Sequence, residues 1–147
     1  MKKILLIASS LTVFASQGVS QNFTPIQPET FKDNMALSNA WGDFDNDGDL
    51  DLVISFKTGD VRLYQNNKGE FSNIGVQMGL PTGGKETRSV AWGDYNADGY
   101  LDLYVGSNRN GNELYRNEKG KRFTEVGVKL GVDIPHVSTR QISWVDF

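Results

Sequence analysis

The sequence predicts an all-β fold of repeated four-stranded units. Three observations carry that prediction: an internal repeat, apolar residues that alternate along short stretches, and turn residues at regular intervals. The repeat shows when AWGDFDNDGDLDLVI, from Ala40, is written above AWGDYNADGYLDLYV, from Ala91. Trp41 and Trp92 then stand 92 − 41 = 51 residues apart. RLYQNNKG (Arg62 to Gly69) meets ELYRNEKG (Glu113 to Gly120), and after one inserted residue FSNIGVQMGL (Phe71 to Leu80) meets FTEVGVKLGV (Phe123 to Val132). A third copy opens in TRQISWVDF, where Thr139, Arg140, Trp144 and Asp146 match Thr87, Arg88, Trp92 and Asp94 at a spacing of 144 − 92 = 52.

Along the chain, residues 1–20 have two lysines, an apolar run from Ile4 to Ala15 and then small polar residues, the pattern of a secretory signal peptide. The run is too short for a bilayer, which needs roughly 20 apolar residues in a helix, and cleavage after Ala15 or after Ser20 both satisfy the small-residue rule. A lead-in, residues 21–37, follows. Residues 38–88 form the first repeat, 89–141 the second, and 142–147 the start of a third that the sequence cuts short. Within the first repeat a strand around Trp41 leads to an acidic loop. Leu50, Leu52, Ile54 and Phe56 then alternate in a strand from Leu50 to Lys57, as Leu101, Leu103 and Val105 do in the second repeat. KTGD around Gly59 turns the chain into a strand from Val61 to Asn66, NKG at Gly69 turns it again into a short strand from Phe71 to Ile74, and a connection containing MGL closes the unit. Four short strands in a unit of about 50 residues make one propeller blade. The expected architecture is a partial β-propeller of two four-stranded blades plus the first strand of a third. Closed propellers have roughly 4 to 8 blades, so the chain is expected to be the N-terminal piece of a longer protein, with exposed blade edges.

Composition narrows the function classes. The chain has 147 residues, 22% of them charged and 38% hydrophobic, in the range of a globular protein. The net charge is −3, and removal of a segment containing Lys2 and Lys3 makes it −3 − 2 = −5. No basic cluster offsets this, which argues against nucleic acid or an anionic membrane as partner. There is no cysteine, so neither a disulfide framework nor a lipidated cysteine is available. An exported fold without disulfides needs another staple.

The acidic loop supplies a candidate. Numbered from Asp43, side-chain oxygens fall at Asp43, Asp45, Asp47 and Asp51, with Gly48 in sixth place and Asp49 in seventh. The second copy places Asp94, Asn96, Asp98 and Asp102 likewise, with Gly99 and Tyr100. Alternate residues of a tightly turned segment aim at one centre, glycine takes the backbone angle forbidden to a side chain, and the seventh position needs only its carbonyl, so Tyr100 can replace Asp49 there. Oxygen ligands with no His or Cys nearby select calcium. Carboxylates held about 4 Å apart repel by roughly 4 kcal/mol per pair at an effective dielectric of about 20, and a cation removes that penalty. Two calcium sites are therefore expected. An EF-hand does not fit, because its twelfth position needs a bidentate Glu and holds Ile54 in one copy and Val105 in the other. The flanks also alternate as strands.

From Asn39 to Phe147 the chain resembles the FG-GAP/VCBS repeats of integrin-alpha-like β-propellers, with WGDFDNDGDLDLVI and RLYQNNKGEF as the residues that carry the resemblance. ASPIC/UnbV-type secreted repeat proteins are the most similar group, on the N-x-L-Y-x-N and F-x-D-V-x-x-x-x-G-L patterns. The resemblance implies calcium at both loops through the ligands named above. Asn96 departs from it by lowering the charge of the second site, and Asp146 stands without its partners, so no third site is expected. With the signal peptide placing the chain in a secreted, periplasmic or cell-surface location, the resemblance implies a scaffold for recognition or adhesion with an extracellular protein or glycan as ligand, and no catalytic constellation is visible in the sequence. The resemblance also permits the non-catalytic propeller portion of an extracellular polysaccharide-degrading enzyme. A calcium sensor is the weaker third reading, since exported modules meet millimolar calcium.

Other residues carry less. His136, the only histidine, has Ser138 as a neighbour but no triad. Aspartates that ligate calcium are held ionised and are poor proton donors, which argues against a glycosidase pair. Trp41, Trp92 and Trp144 recur at one register, which points to packing between or within blades before a sugar platform. Asn22 in NFT fits the glycosylation sequon.

Overall fold

The computed structural model describes residues 24–33 and 35–145. The expected signal peptide, Asn22 and Asp146 lie outside the described residues. Eight strands run in order: β1 (Ala36–Gly42), β2 (Asp51–Phe56), β3 (Val61–Asn67), β4 (Glu70–Asn73), β5 (Thr87–Gly93), β6 (Asp102–Ser107), β7 (Glu113–Asn117) and β8 (Phe123–Glu125), followed by one helical turn, α1 (Gly127–Leu130). They form two four-stranded sheets, β1-β2-β3-β4 and β5-β6-β7-β8. Every neighbouring pair is antiparallel. Each repeat is thus one propeller-type blade, as the sequence predicts.

Local chemistry explains the hairpins. β3 and β4 are joined by Lys68 and Gly69 alone, with φ of 54° and 95°, the two positive angles of a type I′ turn whose twist matches that of the strands. The first strand of each blade carries a register shift at the same place, between Ala36 and Ser38 and between Thr87 and Ser89. β2 is one residue shorter at each end than the expected Leu50 to Lys57: Leu50 belongs to the loop and is 57% exposed, and Lys57 already lies in the turn. β4 spans Glu70–Asn73 and releases Ile74, whose N–H goes to the carbonyl of Leu63 instead. Residues 141–145 form no strand. β1 and β5 are held as strands by β2 and β6, and the described part of the third repeat contains no such neighbour. Trp144 nonetheless sits against Gly93.

The two blades stack face to face, and the core lies between them. It joins Phe44, Val53, Val61, Leu63, Met78 and Leu80 of the first repeat to Val90, Leu103, Val105, Tyr115 and Phe123 of the second. Val53 and Ser55 on one face of β2 are as inaccessible as Leu52 and Phe56 on the other, so the apolar alternation does not divide this strand into a covered and an open face. Trp92 is the joint's key. It stacks on Phe44 with 6.4 Å between ring centres, tilts against Phe123 at 6.0 Å and donates its indole N–H to the carbonyl of Ala40 at 3.3 Å. A Cβ on Gly42 would lie 2.8 Å from that indole, so only glycine fits beneath it.

Candidate metal centre

Each acidic loop closes the hairpin between the first two strands of its blade, with Gly42 paired to Asp51 and Gly93 to Asp102. The loops share one fold. Asp43 accepts the N–H groups of Asp47 (3.1 Å) and Gly48 (3.0 Å), and Asp94 accepts those of Asp98 (3.1 Å) and Gly99 (2.8 Å). Gly48 and Gly99 take φ of 95° and 87°, as the sequence predicts for sixth place. The residues two before them, Asn46 and Ala97, also lie in the left-handed region, at 62° and 56°. Nothing in the spacing announced that second turn, since Asn and Ala share no conformational signature.

The buried anchors are Asp51 and Asp102, both fully inaccessible. Asp51 accepts the N–H of Phe44 (3.2 Å) on one oxygen and that of Asn66 (2.9 Å) on the other. Asp102 accepts those of Tyr95 (3.1 Å) and Asn117 (2.7 Å). Burial nevertheless pushes the Asp51 carboxyl up to about 6, helped by the negative charges of Asp45 and Asp47 and opposed by the two N–H donors. Asp102 is raised by the same causes, with Asp98 and Asp94 as the charged neighbours.

In the first loop the chain brings Asp43, Asp45 and Asp51 together, with one carboxylate oxygen from each within 4.8 Å of the others. At that spacing each pair repels by roughly 3 to 4 kcal/mol at an effective dielectric of about 20. Among the described residues no lysine or arginine makes an ion pair with any of the three. Asp45 gives one oxygen to Gln65 Nε2 at 2.7 Å, while the other is buried with no hydrogen-bond partner among the described residues. A buried acceptor left unpaired costs on the order of 1 to 3 kcal/mol, and a cation among the three acids satisfies it. Of the other expected ligands, Asp47 turns its carboxylate to the N–H of Asp49 (2.9 Å). Asp49 accepts the N–H of Lys68 on its side chain (2.9 Å).

The second loop is arranged differently. Asn96 donates to Asp98 at 3.0 Å and accepts the Asp98 N–H, so its amide is spent inside the loop. Asp98 also accepts the N–H of Tyr100 at 3.0 Å. Arg116 occupies the register position of Gln65, 116 − 65 = 51 residues on, and lines one hollow with Asn96 and Asp98.

The ligand spacing passed over the residues that hold the loops. Asn66 and Asn117 each donate a side-chain N–H to the carbonyl of Leu50 or Leu101 (3.0 and 2.9 Å) and accept the N–H of Gly69 or Gly120 (both 2.8 Å). The recurrence of asparagine at 117 − 66 = 51 was a readable signal. Loop and third strand are locked together by it. The first loop is also clasped by the second blade: Asn46 donates to Gly99 O (3.0 Å), Asn117 donates to Phe44 O (2.7 Å), and Gly120 sits directly on Asp45. His136 lies exposed on a loop at φ 66°.

Comparison with protein families matches the FG-GAP-like repeat twice, over residues 43–105 and 94–147. Comparison with curated proteins returns no match.

Proposed function

The chain belongs to the FG-GAP-like repeat family, and on that premise we propose that it is a calcium-binding blade pair of an exported β-propeller that serves as a recognition or adhesion scaffold. The observation that supports calcium most directly is the unpartnered buried oxygen of Asp45 among three converging carboxylates. Asp43, Asp45 and Asp51 would hold the ion, joined by the Asp49 carbonyl and by Asp47 once its carboxylate swings from the Asp49 N–H. Asp94, Asp98 and Asp102, with Asn96 and the Tyr100 carbonyl, would form the second site. A bound cation neutralises the loop's mutual repulsion. The chain's own contribution is to fix the carboxylates against backbone donors and to press the first loop beneath the second blade.

Export rests on the signal-like N-terminus, and extracellular calcium at millimolar levels loads sites of about 10⁻⁴ to 10⁻³ M affinity without any sensing role. The scaffold role rests on the repeat family and on the surface charge, which disfavours nucleic acid. Its ligand is an extracellular protein or glycan, and the chain performs no catalysis of its own. Among the described residues no helix is long and apolar enough to cross a membrane.

Calorimetric titration of calcium into the chelator-treated protein tests the metal reading. Two binding events are expected, with Asp45→Ala weakening the first and Asp98→Ala the second. No heat and no uptake at millimolar calcium would defeat it.

A further inference from the structure

We infer that residues Gln27 to Asp33 form a cap that imitates a preceding blade and occupies the outer half of the seat on which such a blade would rest. The second blade shows what that seat requires. Its outer strand β8 gives the Phe123 N–H to the carbonyl of Met78, from the connection that ends the first repeat, at 2.7 Å. Phe44, from the loop of the first blade, lies against Phe123 with 5.9 Å between ring centres.

Among the described residues no repeat precedes the first blade, yet the matching positions are filled. Phe71 corresponds to Phe123 at 123 − 71 = 52. Its N–H goes to Gln27 Oε1 at 2.8 Å, and its carbonyl accepts from Gln27 Nε2 at 3.3 Å. One side-chain amide thus replaces the backbone of that connection at the exposed edge, where unpaired groups invite association. Phe31 replaces Phe44. Its ring lies 5.6 Å from Phe71 and 4.9 Å from Tyr64. Three local features hold the segment in this shape. Gln27 takes the left-handed region at φ 44°, the Thr30 N–H closes a turn on its carbonyl at 2.9 Å, and Asp33 pairs with Arg62 of β3.

Burial marks where the imitation stops. Tyr64 is 2% exposed, as deep as Tyr115 in the complete joint at 5%, whereas Trp41, the counterpart of Trp92, is 53% exposed. The cap covers the outer strands and leaves the inner strand bare. A further blade on this face meets Trp41 directly and finds the ground at Phe71 already taken.

Amide hydrogen exchange on the full chain tests this, because Phe71 and Phe123 are equivalent amides held by different partners. Gln27→Ala and Phe31→Ala are each expected to speed exchange at Phe71 at least tenfold and to leave Phe123 unchanged. Gln27→Glu, which keeps the acceptor, is expected to restore most of the protection. Unchanged exchange at Phe71 overturns the proposal. An equal rise at both amides also overturns it, since the segment would then add only general stability.

Discussion

The second blade rests on another blade, and the first rests on a short lead-in; the same sequence pattern behaves differently under the two covers. Trp92 is wedged between Gly42, Phe44 and Phe123 with its N–H satisfied. Trp41, identical in register, stacks edge-on against Phe71 at 6.0 Å and is half exposed. The acidic loops differ too, here partly through their own residues. The first is roofed by Gly120 and keeps three carboxylates converged without a compensating cation among the described side chains. The second lacks one of those charges at Asn96 and has the Arg116 guanidinium nearby. A repeat specifies a unit, and the unit's neighbour decides what each residue is worth.

Truncating the equivalent tryptophans breaks this comparison most sharply. Trp92→Ala is expected to lose about 3 to 5 kcal/mol of unfolding free energy in a denaturant titration, and Trp41→Ala under about 1. Equal losses would mean that the two faces are equally covered. Next comes Asp45→Ala, which removes a charge close to the cation and is expected to weaken calcium binding at the first loop by roughly ten- to a hundredfold, equivalent to about 1.4 to 2.7 kcal/mol. The second loop should be unaffected.

Acidification tests the buried anchor of the first loop. The Asp51 carboxyl titrates at about 6 in the folded, cation-free chain against a normal value of 3.8, so the fold holds this proton more tightly than the unfolded chain does. Its ionisation therefore weighs against the cation-free fold above about pH 6, and that penalty is relieved as pH falls from about 6 toward 3.8. Calcium binding has the opposite sign. If Asp51 is a ligand as proposed, proton and cation compete for it, and the affinity of the first loop is expected to fall up to about tenfold per pH unit across that window. Titrations at a series of pH values check it; a first site indifferent to pH would remove Asp51 from the ligand set.

Converting the second loop toward the first is expected to raise its affinity. Asn96→Asp together with Arg116→Gln adds one ligand charge and removes a competing cation, for roughly a tenfold gain in calorimetry. The smallest effect concerns the backbone. Ala97→Gly is expected to stabilise the chain by about 0.5 to 1 kcal/mol in a denaturant titration, since φ 56° strains alanine and not glycine. Asn46→Gly is expected to gain less, because asparagine tolerates that region and donates to Gly99.

Much of this was legible in order along the chain. The recurrence of Trp-Gly-Asp, the alternation after each loop and the Lys-Gly turns defined two four-stranded blades. The acids at Asp43, Asp45 and Asp51 were legible as converging because loop spacing is a local property. Less legible was the split between them and Asp47, which depends on where the Asp49 N–H points. Asn66 and Asn117 were present as a repeat but carried no chemistry of their own until their acceptors came into place, and Gln65, whose position holds Arg116 in the second repeat, gave no signal.

By itself the sequence determined what depends on neighbours within a few residues: strand period, the turn at Gly69, the glycine angles at Gly48 and Gly99, and the order of the acids in the loops. Tertiary structure alone decided which of two identical tryptophans is a joint and which is bare, why Gly42 must lack a side chain, and how Gln27 and Phe31 complete a blade 44 and 40 residues away from them at Phe71. Such contacts pair residues whose separation is set by the stacking of sheets, and no local pattern encodes which face of a repeat will be covered.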